Sequence, residues 1–349
     1  MPQAPPRVGI IANPVSARDI RRIVAHAGNM QITDRANIVL RLLAGLKATG
    51  VEHVVIMPEE AGIRHHVKRG LTQSANRGET KFPTIEYLDM EVTATTRDST
   101  HAAKMMADAG VAAIIVLGGD GTHRAVVSGC GQVPIAGVST GTNNAFPKTT
   151  EPTLVGMAVG LAVTKDDLAP IAYQQNKVLE INLGDDTEIA LVDVAIVAEN
   201  YIGARALWRV DNFKELYVTF AETNVIGMSA IAALINPVDR LTPEGRQVIF
   251  DDAEEPGATV LAPIGPGMIE KIGIKSSNVL LPDQPIRLSL ERGSIALDGE
   301  REMSFSARDA PTITLRSNAF RTINVDACLA AGGPSQLFQS KTPANNNSR

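Results

Sequence analysis

An α/β domain with a parallel sheet, followed by a β-rich antiparallel domain, is the fold predicted by this 349-residue sequence. Three observations predict it. Short apolar runs alternate with helical stretches up to about residue 147, as in a parallel sheet covered on both faces. Beyond that point the runs are short, alternating and separated by turns. Finally, at 349 residues the chain is long enough for two such units, each with a core of its own.

The elements follow in order. Val8–Ala12 (VGIIA) is a buried strand ended by Asn13-Pro14, and the helix after it carries Arg18, Arg21 and Arg22 on one face. Ile38–Leu46 has helical apolar spacing and leads to Gly50, and Val54–Met57 is a second buried strand. The polar stretch around Gly70 and Gly78 carries no clear pattern. Thr96 or Asp98 caps a helix running through Ala109, stopped by Gly110. Val111–Leu117 (VAAIIVL) is the clearest buried strand; GGDGT and a helix to about Val127 follow it. Ile135–Val138 is the next strand, ending in STGTNN.

In the second half, Lys177–Leu183, the turn Gly184-Asp185-Asp186 and Thr187–Val197 read as a hairpin. A helix is placed near Ser229–Leu234 and a Pro/Gly loop at Pro263–Gly267. Short strands follow at Ile286–Leu290, Ser294–Leu297 and Thr312–Leu315. The predicted division is 1–147 for the α/β domain and 148–325 for the β-rich domain. Residues 326–349 are read as a disordered tail.

Composition narrows the function. The hydrophobic share is 44% and the charged share 20%, as in globular proteins. Aromatics make up 4% and the net charge is -5, which argues against stacking on bases and against binding a phosphate backbone. The two cysteines, Cys130 and Cys328, supply neither a disulfide framework nor a zinc cluster, and read as buried thiols in a reducing compartment. The longest apolar stretch, Val225–Ile235, is far short of the roughly 18 residues of a membrane span. The expectation is a cytoplasmic protein, a homo-oligomer, with no nucleic-acid or membrane partner.

The strongest chemical signal is Gly118-Gly119-Asp120-Gly121-Thr122, between a buried strand and a helix start. Ligands of open α/β sheets bind at the carboxyl ends of the strands. Glycines let the backbone approach a phosphate, and amides at a helix start attract anions. Thr122 can cap that helix, while Asp120 can hold Mg2+ or take a proton from a hydroxyl. Ser139, Thr140, Gly141, Thr142, Asn143 and Asn144 follow the next strand and can grip ribose or phosphate oxygens. Asn13 and Ser16 follow the first strand. Asp298 and Glu300, in Leu297-Asp298-Gly299-Glu300, bring two carboxylates opposite Asp120 if the domains close on each other.

These stretches, with Tyr201–Trp208 (YIGARALW), Ala262–Ile274 (APIGPGMIEKIGI) and Ala296–Glu302 (ALDGERE), resemble the ATP-NAD kinase-like proteins related to the acetoin-catabolism X protein. These belong to the NAD kinase and diacylglycerol kinase superfamily. The similarity spans most of residues 7–325. It implies a kinase using ATP and Mg2+ on a hydroxyl acceptor, with the 2′-hydroxyl of NAD favoured; no metal ligand is assigned. By resemblance, Asp120 matches the aspartate that activates that hydroxyl, and Glu300 matches the base proposed in lipid kinases. Asn143 and Asn144 match the asparagine motif. Ala17 stands where the family usually has glycine, and Glu199-Asn200 reverses the usual substrate motif. A kinase for a lipid or small hydroxylated metabolite, and a nucleotide sensor without turnover, are the alternatives.

Overall fold

The computed structural model describes residues 5–14, 30–79, 82–141, 144–198, 212–251, 253, 256–299 and 301–333. Its first sheet has nine strands, with a parallel core in the order β3-β2-β1-β4-β5. These are β1 Arg7–Ala12, β2 His53–Ile56, β3 Thr84–Tyr87, β4 Ala113–Gly118 and β5 Ile135–Ser139. Helices α1 Ile32–Ala48, α2 Ile63–Asn76, α3 Arg97–Asp108, α4 Asp120–Cys130 and α5 Pro152–Thr164 surround it. The stretch around Gly70 that lacked a pattern is α2, and β3 follows it.

The apolar runs of the strands are continuous because both sheet faces are covered. On β4, Ala113, Ile115 and Leu117 point into a core shared with Leu42, Leu43 and Leu46 of α1 and Val155 and Val159 of α5. Ile114 and Val116 point the other way, toward Ala102 and Met106 of α3 and Val126 of α4.

The second half adds to this sheet before forming its own. The remaining strands are β6 Tyr173–Leu183, β7 Asp186–Ala190, β8 Asp193–Val197, β9 Phe213–Val218, β10 Gly245–Phe250, β11 Thr259–Gly265, β12 Met268–Leu280, β13 Ile286–Arg287, β14 Gly293–Leu297, β15 Arg301–Phe305 and β16 Thr312–Ile323. Strand β16 runs parallel to β5 and antiparallel to β6, which pairs with β7, while β13 flanks β16. The second sheet is antiparallel, in the order β11-β12-β10-β9-β8-β14-β15. Its strands pack on β6 and β16 through Val194, Ile196, Tyr217 and Ile295 against Leu179, Ile181 and Leu315. Helix α6, Met228–Ile235, covers its other face.

Several local expectations change. The hairpin at 177–197 turns at Gly184-Asp185 as read, but its return splits at Leu191-Val192 into β7 and β8, one in each sheet. Thr122 is the third residue of α4, not its cap; Gly119 is the N-cap, without a side-chain cap. Part of the expected tail is ordered: Val325–Gly332 forms helix α7, where Asn324 Oδ1 accepts from the amide of Ala327 and Cys328 is buried. Cys130 and Cys328 are free and buried, and burial pushes both thiols up to about 11. Among the described residues no helix is long and apolar enough to cross a membrane.

Candidate active site

Parallel registration places the first three motifs side by side. Ala12 pairs with Leu117, and Gly118 with Ser139, so the segments after β1, β4 and β5 leave the same edge of the sheet. The amide of Thr140 reaches the Gly118 carbonyl at 3.4 Å. Both of the first two glycines of GGDGT are closely packed, Gly118 against the body of the Thr122 side chain and Gly119 against the tip of Asn144. A Cβ on Gly118 would lie 2.4 Å from Cβ of Thr122, and one on Gly119 would lie 2.7 Å from Oδ1 of Asn144. Asn144 donates in turn to Ser139 Oγ at 2.9 Å, and Ser139 Oγ lies 3.3 Å from the Gly141 carbonyl, so this loop folds back over the glycines.

Asp120 is the first residue of α4 and is nearly buried. Its Oδ2 accepts from the amide of Ala145 at 3.0 Å and its Oδ1 from the amide of Phe146 at 2.9 Å. These two bonds fix the orientation of the carboxylate. The other side of the same dipeptide is held by Arg240. Its Nη2 donates to the carbonyl of Ala145 at 2.6 Å and its Nη1 to that of Phe146 at 2.7 Å. Arg240 also pairs with Glu222 at 2.8 Å and lies 3.9 Å above the Phe220 ring. Lys177 steadies the segment carrying Arg240, donating to the carbonyls of Asp239 at 3.1 Å and Glu244 at 2.6 Å; burial pulls its pKa down to about 8.

Asn13 sits on the same edge, but its side-chain amide holds the entry to α3, donating to the Thr95 carbonyl at 2.9 Å and Ser99 Oγ at 3.0 Å. Asp298 comes to α4 indirectly. Its carboxylate has no exposed surface and accepts from the amides of Leu191, Val192 and Asp193, at 2.8 Å for the shortest. Arg124 of α4 stands 3.5 Å from it and donates to the Leu297 carbonyl at 2.8 Å. Burial raises the Asp298 pKa, opposed by Arg124 and the three amides. These bonds explain why the strand breaks at Leu191-Val192. They engage Asp298 in joining β14, the β7–β8 turn and α4, the helix that begins at Asp120. Ser16, Thr142, Asn143 and Glu300 lie outside the described residues.

Three site residues escaped the sequence reading. His123 and Arg124 lie three and four positions after Asp120, one turn further along its helix, so spacing could have flagged them. Arg240 had no local signal, since it matters only through a contact 94 residues away.

Two family models match the chain. The ATP-NAD kinase N-terminal domain matches residues 8–160, and the acetoin catabolism protein X C-terminal domain matches residues 177–318. A curated relative, acetoin catabolism protein X of Cupriavidus necator, is 48% identical over 343 residues, which are 97% of this chain and 95% of that protein. The chain belongs to the acetoin catabolism protein X family. The motif resemblance therefore named the right family. Among solved structures, a putative diacylglycerol kinase from Bacillus anthracis str. Sterne aligns at 15% identity and a TM-score of 0.47, over 91% of this chain and 97% of that one. In this member of the acetoin catabolism protein X family, polar contacts that join the matched regions include Arg240 to Ala145 and Phe146, Arg124 to the Leu297 carbonyl, and Asp298 to Arg124.

Proposed function

We propose that the chain is an ATP-dependent phosphotransferase acting on a hydroxyl, with the 2′-hydroxyl of NAD as first acceptor. The observation that carries this reading is the placement of Asp120. It starts a helix at the carboxyl edge of a parallel sheet, inside an NAD kinase-type domain, with its carboxylate oriented by two amides. The surroundings suit a polyphosphate. Gly118 is packed too closely on Thr122 to carry a side chain, and Gly121, second in α4, has an amide with no acceptor within the helix. Mg2+ is commonly held by one or two carboxylates together with phosphate oxygens, and Asp120 is the carboxylate in place here. Bound ATP supplies the phosphoryl group.

In this reading Asp120 orients the acceptor hydroxyl and takes its proton. Gly118, Gly119, Gly121 and Thr122 face the phosphates. Ser139, Gly141, Thr142, Asn143 and Asn144 form the polar wall for a ribose, and Asn13 and Ser16 close the edge beside β1. Glu300 is the second candidate base, while Asp298 acts through α4. The protein works as a cytoplasmic homo-oligomer, divided functionally at about residue 147. The relative's name points to acetoin catabolism as the setting.

A second reading has an observation of its own. Both oxygens of Asp120 already take an amide, an arrangement that also serves a nucleotide sensor without turnover. The test is NADP formation by purified protein with ATP, Mg2+ and NAD, beside parallel assays on diacylglycerol vesicles and small alcohols. NADP formation that falls about 10²-fold or more in a folded Asp120→Asn variant supports the reading. ATP binding with no product from any acceptor favours the sensor, and phosphorylated lipid or alcohol without NADP replaces the acceptor.

A further inference from the structure

Helices α3 and α4 lie side by side, and Thr100 Oγ1 of the first donates to the Ala125 carbonyl of the second at 2.8 Å. Arg97 comes one turn before Thr100 and Arg124 just before Ala125, so both arginines stand toward the N-terminal end of this contact. Both line a cavity of about 580 Å³ between these helices and strands β6, β7 and β16. Small-molecule sites commonly measure about 300–1,000 Å³. The α4 wall of the cavity runs from Gly121 to Ser128, about 10 Å of helix. Gly121 is where it meets the loop given above to the ATP phosphates.

The charges favour an anion of modest size. Arg97 is exposed, and among the described residues its guanidinium has no hydrogen-bond or ion-pair partner. Arg124 is held in place, its Nη1 donating to the Leu297 carbonyl at 2.8 Å and standing 3.5 Å from Asp298. Its Nε and Nη2 are left as donors. A guanidinium is a planar fork that matches phosphate oxygens. Asp298 offsets the charge of Arg124, and Glu188 adds an acid to the β7 wall. The balance suits a single phosphate rather than a polyphosphate.

The rest of the lining fits the organic part of such a ligand. Val127, Val178, Ile189 and Ala319 give it an apolar surface. The hydroxyls among them have spent their protons: Thr100 on Ala125, Ser128 on the Arg124 carbonyl at 3.0 Å, and Thr187 on Asn182 Oδ1 at 2.9 Å. Their lone pairs can still accept, as can a carboxylate such as Glu188. The matching molecule has a phosphate at one end, then a flat apolar body that carries hydroxyl and amino donors. A nucleoside with one phosphate combines these features.

We propose that this cavity binds a nucleoside monophosphate, with the phosphate held between Arg97 and Arg124. The proposal stands apart from the kinase reading, since it needs neither ATP nor turnover. Its occupant would rest against α4, the helix that starts at Asp120.

The test is calorimetric titration of the full-length protein with AMP, without ATP or Mg2+, beside a titration with inorganic phosphate. The expected result is saturable AMP binding, with inorganic phosphate bound more weakly. Arg97→Gln, at an exposed position, should weaken AMP about tenfold, the worth of a charged hydrogen bond. Ala319→Leu narrows the cavity from the β16 side and leaves both arginines in place. It should weaken AMP but not inorganic phosphate. Should Ala319→Leu not fold, Ser128→Leu, at an exposed position of α4, narrows the same cavity and should act alike. Four results overturn the proposal: no saturable AMP binding, parental AMP affinity in Arg97→Gln, parental AMP affinity in the folded narrowing variant, which would put AMP elsewhere, and inorganic phosphate bound as tightly as AMP.

Discussion

The carboxylate of Asp120 and the guanidinium of Arg240 hold the same dipeptide, Ala145-Phe146, from opposite sides. Asp120 takes both of its amides and Arg240 donates to both of its carbonyls. Asp120 starts α4 at the sheet edge, whereas Arg240 lies between α6 and β10 and pairs with Glu222. The second half of the chain thus sets the position of the loop that orients the candidate catalytic group.

Arg240→Gln removes the donors from both carbonyls and leaves Glu222 without its partner. The expected loss is about 2–3 kcal/mol of stability, read from the midpoint of urea unfolding. Because Arg240 and Asp120 act on one dipeptide, a cycle with Asp120→Asn should show non-additivity of about 0.5–3 kcal/mol. Additive single effects would mean that the two residues hold the loop independently.

Gly118→Ala should disturb the loop itself. The new methyl would meet the side chain of Thr122 at 2.4–2.7 Å, and the first turn of α4 must shift to admit it. Overpacking of this kind costs about 1–3 kcal/mol. ATP affinity by calorimetry should drop along with stability. A variant that binds ATP as the parent does would remove this loop from the nucleotide site.

His123 gives a pH dependence with a definite sign. Its pKa is about 4 in the fold against an ordinary value of 6.5, so between these values the unfolded chain binds a proton that the folded chain does not. Stability contributed by the buried neutral ring is complete above about pH 6.5 and declines as the pH falls toward 4. The total is on the order of 3 kcal/mol at pH 4. Unfolding midpoints measured across this range should fall less steeply in His123→Gln than in the parent.

Asp298→Ala tests whether that carboxylate is structural. It would strand three backbone amides and leave Arg124 with a nearly buried, uncompensated charge, at a cost of about 3–5 kcal/mol. Arg124→Ala should be damaging too, and the double variant should lose less than the sum of the two. A stable Asp298→Ala that merely loses turnover would instead favour a direct chemical role.

Wherever local pattern sufficed, the sequence alone determined the outcome. The apolar runs at Val8–Ala12, Val54–Met57 and Val111–Leu117 became parallel strands because both faces of that sheet are buried, and only uninterrupted apolar runs fit there. GGDGT between strand and helix was equally legible, since its glycines answer to close contacts within a few residues and with the next loop. Tertiary structure decided what depends on partners far along the chain. The register of β16 against β5 and β6 placed late strands in the first sheet, although their alternation gave no sign of which sheet they would join. Asp298 read as a site carboxylate until burial and the amides of the β7–β8 turn showed what it holds, and Arg240 carried no signal at all. Side-chain bonds to a distant backbone follow from how the chain packs, and no local period or propensity encodes them.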